Sequence, residues 1–235
     1  MDIYKSSRLD NLKYEIRGPV YEKAIALQNQ GYKITSLNIG NPAAFGFETP
    51  DEIVHDIIVN IRQAQGYVDS LGLFAARKAV MQYYQNQGVK NIMIEDIYIG
   101  NGVSELISLV LTALLNADDE VLIPSPDYPL WTTVVGLAGG KAVHYKCDEQ
   151  TDWNPSILDI EAKITSKTKA LVIINPNNPT GAVYTKETID NIVKVAEKHK
   201  LLLFADEIYD KILFDGNKHH SAAGLSEEIL ICTMG

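Results

Sequence analysis

From about residue 97 onward the sequence alternates short, continuous apolar runs with amphipathic stretches, and this rhythm restricts its architecture more than any other feature. "EVLIP" (120–124), "KALVIIN" (169–175) and "LLLFAD" (201–206) are apolar at nearly every position. A strand with one wet face alternates polar and apolar residues, so a run without alternation is buried on both faces. "IYIG" (97–100) and "KAVHY" (141–145) read as further strands. Helical patterns intervene at 103–115, 128–138, 156–163 and 185–199. Strands and helices in alternation predict an α/β fold with a mostly parallel sheet covered on both faces. In such sheets ligands collect beyond the C-terminal ends of the strands.

Upstream, residues 11–30 read as an amphipathic helix interrupted by "RGP", and "ITSLNIG" (34–40) as a strand running into a loop. Thr49 is a candidate N-cap with Pro50 at the first helical position. A second helix is predicted over 72–87, with Leu73, Ala76, Val80 and Tyr84 on one face. The 235 residues, 46% hydrophobic, suffice for one large domain or for a domain plus part of another. A net charge of −9 without a Lys/Arg run argues against nucleic acid as a partner. The apolar window "LISLVLTALL" is too short to span a membrane, and "MDIYKSSRLD" is too polar for a secretory signal. Cys147 and Cys232 lie far apart without metal spacing, which fits a reduced, cytoplasmic setting.

Four strand ends carry unusual chemistry. "IYIGNGVSELI" passes through Gly100, Asn101 and Gly102 into a helix whose first turn holds Ser104. Free amides and the helix dipole there favour a phosphate, although a Gly-containing strand-to-helix turn is often structural. The spacing matches neither a Rossmann fingerprint nor a P-loop. "IPSPDYPLW" stiffens a loop with prolines and presents Tyr128 as a flat surface, unless Tyr128 and Trp131 are simply core. "IINPNNPTG" (173–181) fixes a long stretch of backbone, with Asn178 as a natural donor. In "LLLFADEIYDKI", Asp206 ends an apolar run where an unpaired carboxylate is costly, so a cation is expected to meet it, with Tyr209 nearby. A helix N-cap is the plain alternative for Asp206. Together these ends suit a planar, phosphorylated, cationic heteroaromatic ligand such as pyridoxal 5′-phosphate.

The chain resembles the class I/II pyridoxal-phosphate aminotransferases of fold type I, and among them the bacterial alanine aminotransferases. The resemblance runs through "YEIRGPV", "LNIGNPAAFGF", "GYVDSLGLFAARKA", "IYIGNGVSELI", "PSPDYPLW", "NPNNPTGAVY" and "FADEIYDKILFDG". It implies a three-layer α/β/α large domain over 49–235, incomplete at its C-terminus, with 1–48 an N-terminal arm and part of a small domain. It implies that Gly102, Val103 and Ser104 hold the cofactor phosphate and that Tyr128 stacks on the ring. Asn178 and Tyr209 would bond the ring hydroxyl, and Asp206 would pair with the ring nitrogen. Tyr67 would reach the phosphate of a second subunit in a homodimer. Gly40 and Asn178 would lie beside the substrate, with Tyr14 as a substrate-side lid. Cis bonds are implied at Ser125-Pro126 and Asn178-Pro179. The implied reaction moves an amino group from L-alanine to 2-oxoglutarate.

One part of the family pattern is not found. The Schiff-base lysine of the family follows the aspartate by some thirty residues, and the sequence stops at "ICTMG". Lys211 and Lys218 stand in the wrong context to replace it. The chain therefore reads as an N-terminal fragment that is inactive alone. A lyase or synthase of the same fold, or a non-catalytic protein, are the competing readings. His219-His220, beside "DGNK", reads as surface, and Cys232 as a core thiol.

Overall fold

The unbroken apolar runs become the middle of a sheet. In the computed structural model of the chain the described residues are 4–9, 18–36, 39–40 and 42–235. Their strands are β1 (Glu120–Ser125), β2 (Lys141–Asp148), β3 (Asn154–Pro155), β4 (Thr168–Ile174), β5 (Leu202–Asp206) and β6 (Ile231–Met234). The helices are α1 (Pro19–Asn29), α2 (Asp51–Asn60), α3 (Phe74–Asn86), α4 (Val103–Leu114), α5 (Pro129–Leu137), α6 (Ile157–Lys163) and α7 (Lys186–His199). Two compact units emerge, one within Tyr14–Phe74 and one comprising Ala75–Gly235 with the described residues of Met1–Lys13.

The larger unit holds a single sheet in the order β3-β2-β1-β4-β5-β6. Every pair is parallel except the short β2–β3 ladder. The pleat sorts the side chains. Leu122, Leu171, Ile173, Leu203 and Ala205 pack with Ile160 of α6 and with Ile189, Ile192 and Ala196 of α7. Val121, Ile123, Val172, Ile174 and Phe204 pack with Ile107 and Leu111 of α4 and with Trp131 and Val135 of α5. The result is three layers, α/β/α. Each fully buried side chain of this size stabilises the fold by roughly 1.5–3 kcal/mol before entropy is counted.

Local chemistry sets the helix ends. Thr185 caps α7 by accepting from the Thr188 amide, and Lys200 closes that helix in a left-handed conformation. Ser156 caps α6 by accepting from the Asp159 amide. No described helix is long and apolar enough to cross a membrane.

Four expectations need correction. "IYIG" (97–100) forms no strand, because no neighbouring chain pairs with it among the described residues. The described part of "ITSLNIG" is likewise unpaired. The helix expected to begin at Pro50 begins at Asp51, with Pro50 as its extended N-cap and no side-chain cap at all. α3 buries Arg77 on the expected face, beside the half-buried Ala76, Val80 and Tyr84, while Leu73 precedes the helix and is exposed. Arg77 donates to the Ile94 carbonyl at 2.6 Å and to that of Ile97 at 2.9 Å, tying α3 to the segment that leads into Gly100.

Candidate functional site

The chain leaves β1 for β2 on one side and returns to β4 on the other, which makes the β1/β4 boundary a topological switch point. A cavity of about 210 Å³ lies there, lined by Val103 and Ser104 of α4, Tyr128 after β1, Asn178 after β4, and Asp206 and Tyr209 at the end of β5. Ile174 and Ile208 complete its wall. Six residues singled out in the sequence, drawn from four separate strand or helix ends, therefore meet around one small space.

Asp206 is the chemical centre of this space. It is 3% exposed. Its place in β5 follows from the pleat, which turns Phe204 toward α4 and α5 and turns Asp206 the same way. One carboxylate oxygen accepts from the Trp131 indole N–H at 3.0 Å, and the other from the Ile208 amide at 3.4 Å. Burial pushes the carboxyl above its ordinary range, and the two donors hold it back. Among the described residues no cationic side chain pairs with it. The expected cation is not supplied by these residues. What they supply is the indole, a partner the sequence reading had left as core.

At the opposite wall, α4 starts at Gly102, whose φ of +82° and ψ of 164° suit only glycine. No atom lies within 4 Å of a Cβ added there, so the backbone conformation alone demands glycine. The amides of a first helical turn lack intrahelical acceptors. Glu105 takes the Asn101 amide at 2.5 Å, just outside that turn. Val103 and Ser104 remain against the cavity with the positive end of the helix dipole.

The "NPNNPTG" segment divides its three asparagines between two tasks. The Asn175 side-chain oxygen accepts from the Tyr184 amide at 2.9 Å, and its own amide donates to the Asp206 carbonyl at 2.9 Å. The Asn177 side chain accepts from the Thr180 hydroxyl at 2.8 Å and the Thr180 amide at 3.1 Å. Those two hold the loop shut. Asn178 is left facing the cavity. The Ser125-Pro126 and Asn178-Pro179 bonds are cis, and so is Asn175-Pro176.

Other candidates lie elsewhere. Gly102 immediately precedes the cavity-lining turn. Gly40 and Tyr67 are carried by the smaller unit, where Gly40 has open space around it and Tyr67 is fully exposed. Tyr14 lies outside the described residues. The His219 side chain is only 9% exposed, which corrects the surface reading of the histidine pair. No cluster of potential metal ligands occurs among the described residues.

The sequence pattern of the family described as "Aminotransferase class I and II" matches residues 32–235. The chain belongs to this family. Among its relatives, the glutamate-pyruvate aminotransferase AlaA of Haemophilus influenzae is 59% identical over 230 residues, covering 98% of this chain and 57% of its own length. An alanine aminotransferase of Mycobacterium tuberculosis is 56% identical, covering 97% and 54% respectively. The crystal structure of an aminotransferase from Escherichia coli superposes with a TM-score of 0.94 at 59% identity, over 99% of this chain and 58% of that one. This aminotransferase-family chain thus spans somewhat over half the length of the relatives it matches.

Proposed function

We propose that the cavity holds pyridoxal 5′-phosphate and that the protein transfers an amino group from L-alanine to 2-oxoglutarate. Asp206 is the observation that carries this reading. A buried carboxylate facing a small cavity, with donors but no cation beside it, suits a ligand that brings its own positive charge. Asp206 would accept a charge-assisted hydrogen bond from the protonated ring nitrogen and keep that proton in place. The bound cofactor would supply an electron sink for bond breaking at the substrate α-carbon. Tyr128 would cover one ring face, while Asn178 and Tyr209 would hold the ring hydroxyl. Gly102, Val103 and Ser104 would receive the phosphate at the start of α4. Gly40, Asn178 and Tyr14 would meet the substrate. The exposed Tyr67 phenol would serve the phosphate site of a second copy, which makes the working form a homodimer with two equivalent sites. The names of the 59%-identical relatives favour the alanine and glutamate pair.

The test separates cofactor from reaction. Titrating pyridoxal 5′-phosphate into the 235-residue chain is expected to quench Trp131 fluorescence saturably, and Asp206→Ala is expected to abolish the quench. In the product of the whole reading frame, pyruvate formation from alanine and 2-oxoglutarate is expected, with Asp206→Asn slower by orders of magnitude. Undiminished turnover in the Asn variant refutes the role of Asp206. Absence of pyruvate in a cofactor-loaded protein refutes the substrate pair.

A further inference from the structure

The pleat that aims Asp206 at the cavity aims the next residue to the opposite side, and Glu207 there is 3% exposed. One Glu207 carboxyl oxygen accepts from the Ala222 amide at 2.8 Å. The other lies 3.7 Å from Nε2 of His219, whose side chain is 9% exposed. That nitrogen is buried and has no hydrogen-bond partner. The loop carrying His219 is tied to the end of β4, where the Asn175 side chain donates to the His220 carbonyl at 3.4 Å. Nε2 thus faces a carboxyl oxygen across 3.7 Å, and two lone pairs at that approach repel unless a proton lies between them.

We propose that Glu207 is a positioning residue that carries this proton as a neutral carboxylic acid and donates it to Nε2 of His219. The neutral acid and neutral ring bridge the Asn175 end of β4 to the Asp206 end of β5. Asn178 lies three residues after Asn175, and Asp206 immediately precedes Glu207. The 3.7 Å approach has ion-pair geometry, yet burial pushes the Glu207 carboxyl up to about 7 and pushes the His219 imidazole down, so both groups favour their uncharged forms. Donors at Ala222 and Ser221 hold the Glu207 carboxyl back, and the charges of Asp210 and, from the opposite side, Asp206 raise it further. Tyr83 and Tyr84 approach from α3, and burial and the nearby carboxylates keep both phenols protonated. Burial outweighs Asp210, which favours a charge on His219, and His220 from the same loop disfavours it. No described cation offsets these effects. A protonated Glu207 leaves Asp206 as the only charge at the strand end aimed at the cavity, and the inference does not depend on the reaction proposed above.

The sign of the pH effect follows. The folded protein holds the Glu207 proton more tightly than the unfolded chain, so this contribution to stability is complete below about 4.5 and is lost as pH rises through about 7. Two measurements on the cofactor-free 235-residue protein test the proposal. At pH 6 the ¹⁵N shifts of His219 are expected to report a neutral ring protonated on Nδ1. An imidazolium, or a ring protonated on Nε2 alone, overturns it. Between pH 5.5 and 8.5 the Tm is expected to fall by roughly 5 °C through this group. Glu207→Gln keeps the acceptor for Ala222 and presents a permanent N–H to His219, so it is expected to flatten that fall. A variant that folds and retains the full slope refutes the shared proton. Should the variant not fold, the His219 spectrum of the unaltered protein decides alone.

Discussion

Trp131→Phe isolates one hydrogen bond. The replacement ring keeps most of the contact with Phe204, whose centroid lies 5.4 Å from that of Trp131, but it withdraws the only side-chain donor to Asp206 among the described residues. A buried acceptor that loses its donor destabilises by about 1–3 kcal/mol. The loss depends on charge, because the indole N–H stabilises the ionised carboxylate and thereby opposes the upward push of burial. Trp131→Phe should therefore be more destabilising at pH 7.5, where Asp206 is the more ionised, than at pH 5. Urea titrations at the two pH values measure the difference, and equal losses would mean that the indole acts through packing alone. At this scale the sequence revealed Asp206 and concealed its donor. A carboxylate at the end of an apolar run announces a problem to be solved. Trp131 stands 75 residues away, in a helix whose apolar pattern accounts for it without any polar task. His219 was hidden in the same way, since a polar loop beside "DGNK" gives no sign that its imidazole turns inward against Glu207.

Elements differ in how far a segment can specify itself. "EVLIP", "KALVIIN" and "LLLFAD" formed strands because they pair with one another, which satisfies their backbone groups while both faces are buried. "IYIG" has equally suitable residues, but a strand is a pairing, and segment 97–100 finds no ladder among the described residues. Its position is fixed from the other side, by Arg77. The guanidinium serves two carbonyls, those of Ile94 and Ile97, from within α3. Arg77→Met retains the aliphatic stem and removes both donors. The buried Ile97 carbonyl then loses its side-chain donor while that of Ile94 keeps the Ile97 amide, which predicts a loss of about 1–3 kcal/mol. Because segment 97–100 runs directly into the turn at Gly102, amide exchange at residues 98–104 should accelerate along with it. Unchanged exchange in those amides would mean that the turn is held by Glu105 and the start of α4 rather than by Arg77.

Across the whole molecule, the distribution of lysines decides how a carbonyl ligand can be held. No lysine lines the cavity among the described residues. Many are engaged elsewhere. Lys163 donates to Asp159 and to the His144 carbonyl, Lys186 to Asp190, and Lys198 to Glu161. Lys146 pairs with Asp148 and Lys141 with Glu120. Lys211 sits over the Tyr83 ring, 4.4 Å from its centroid, in a different and larger cleft. A nucleophilic lysine needs partial desolvation to present a free amine, and an ammonium paired with a carboxylate is stabilised in its unreactive form. Pyridoxal 5′-phosphate bound to these 235 residues should therefore be held through Asp206, Tyr128, Asn178, Tyr209 and the start of α4, without covalent attachment. Incubation with the cofactor, reduction with borohydride and intact-mass measurement should leave the bulk of the protein unmodified, and dialysis without reduction should remove the ligand. Scattered sub-stoichiometric labelling of surface lysines is consistent with that outcome. A one-to-one adduct mapped to a single lysine, and abolished by Asp206→Ala, would place a nucleophile in the cavity and overturn the non-covalent arrangement.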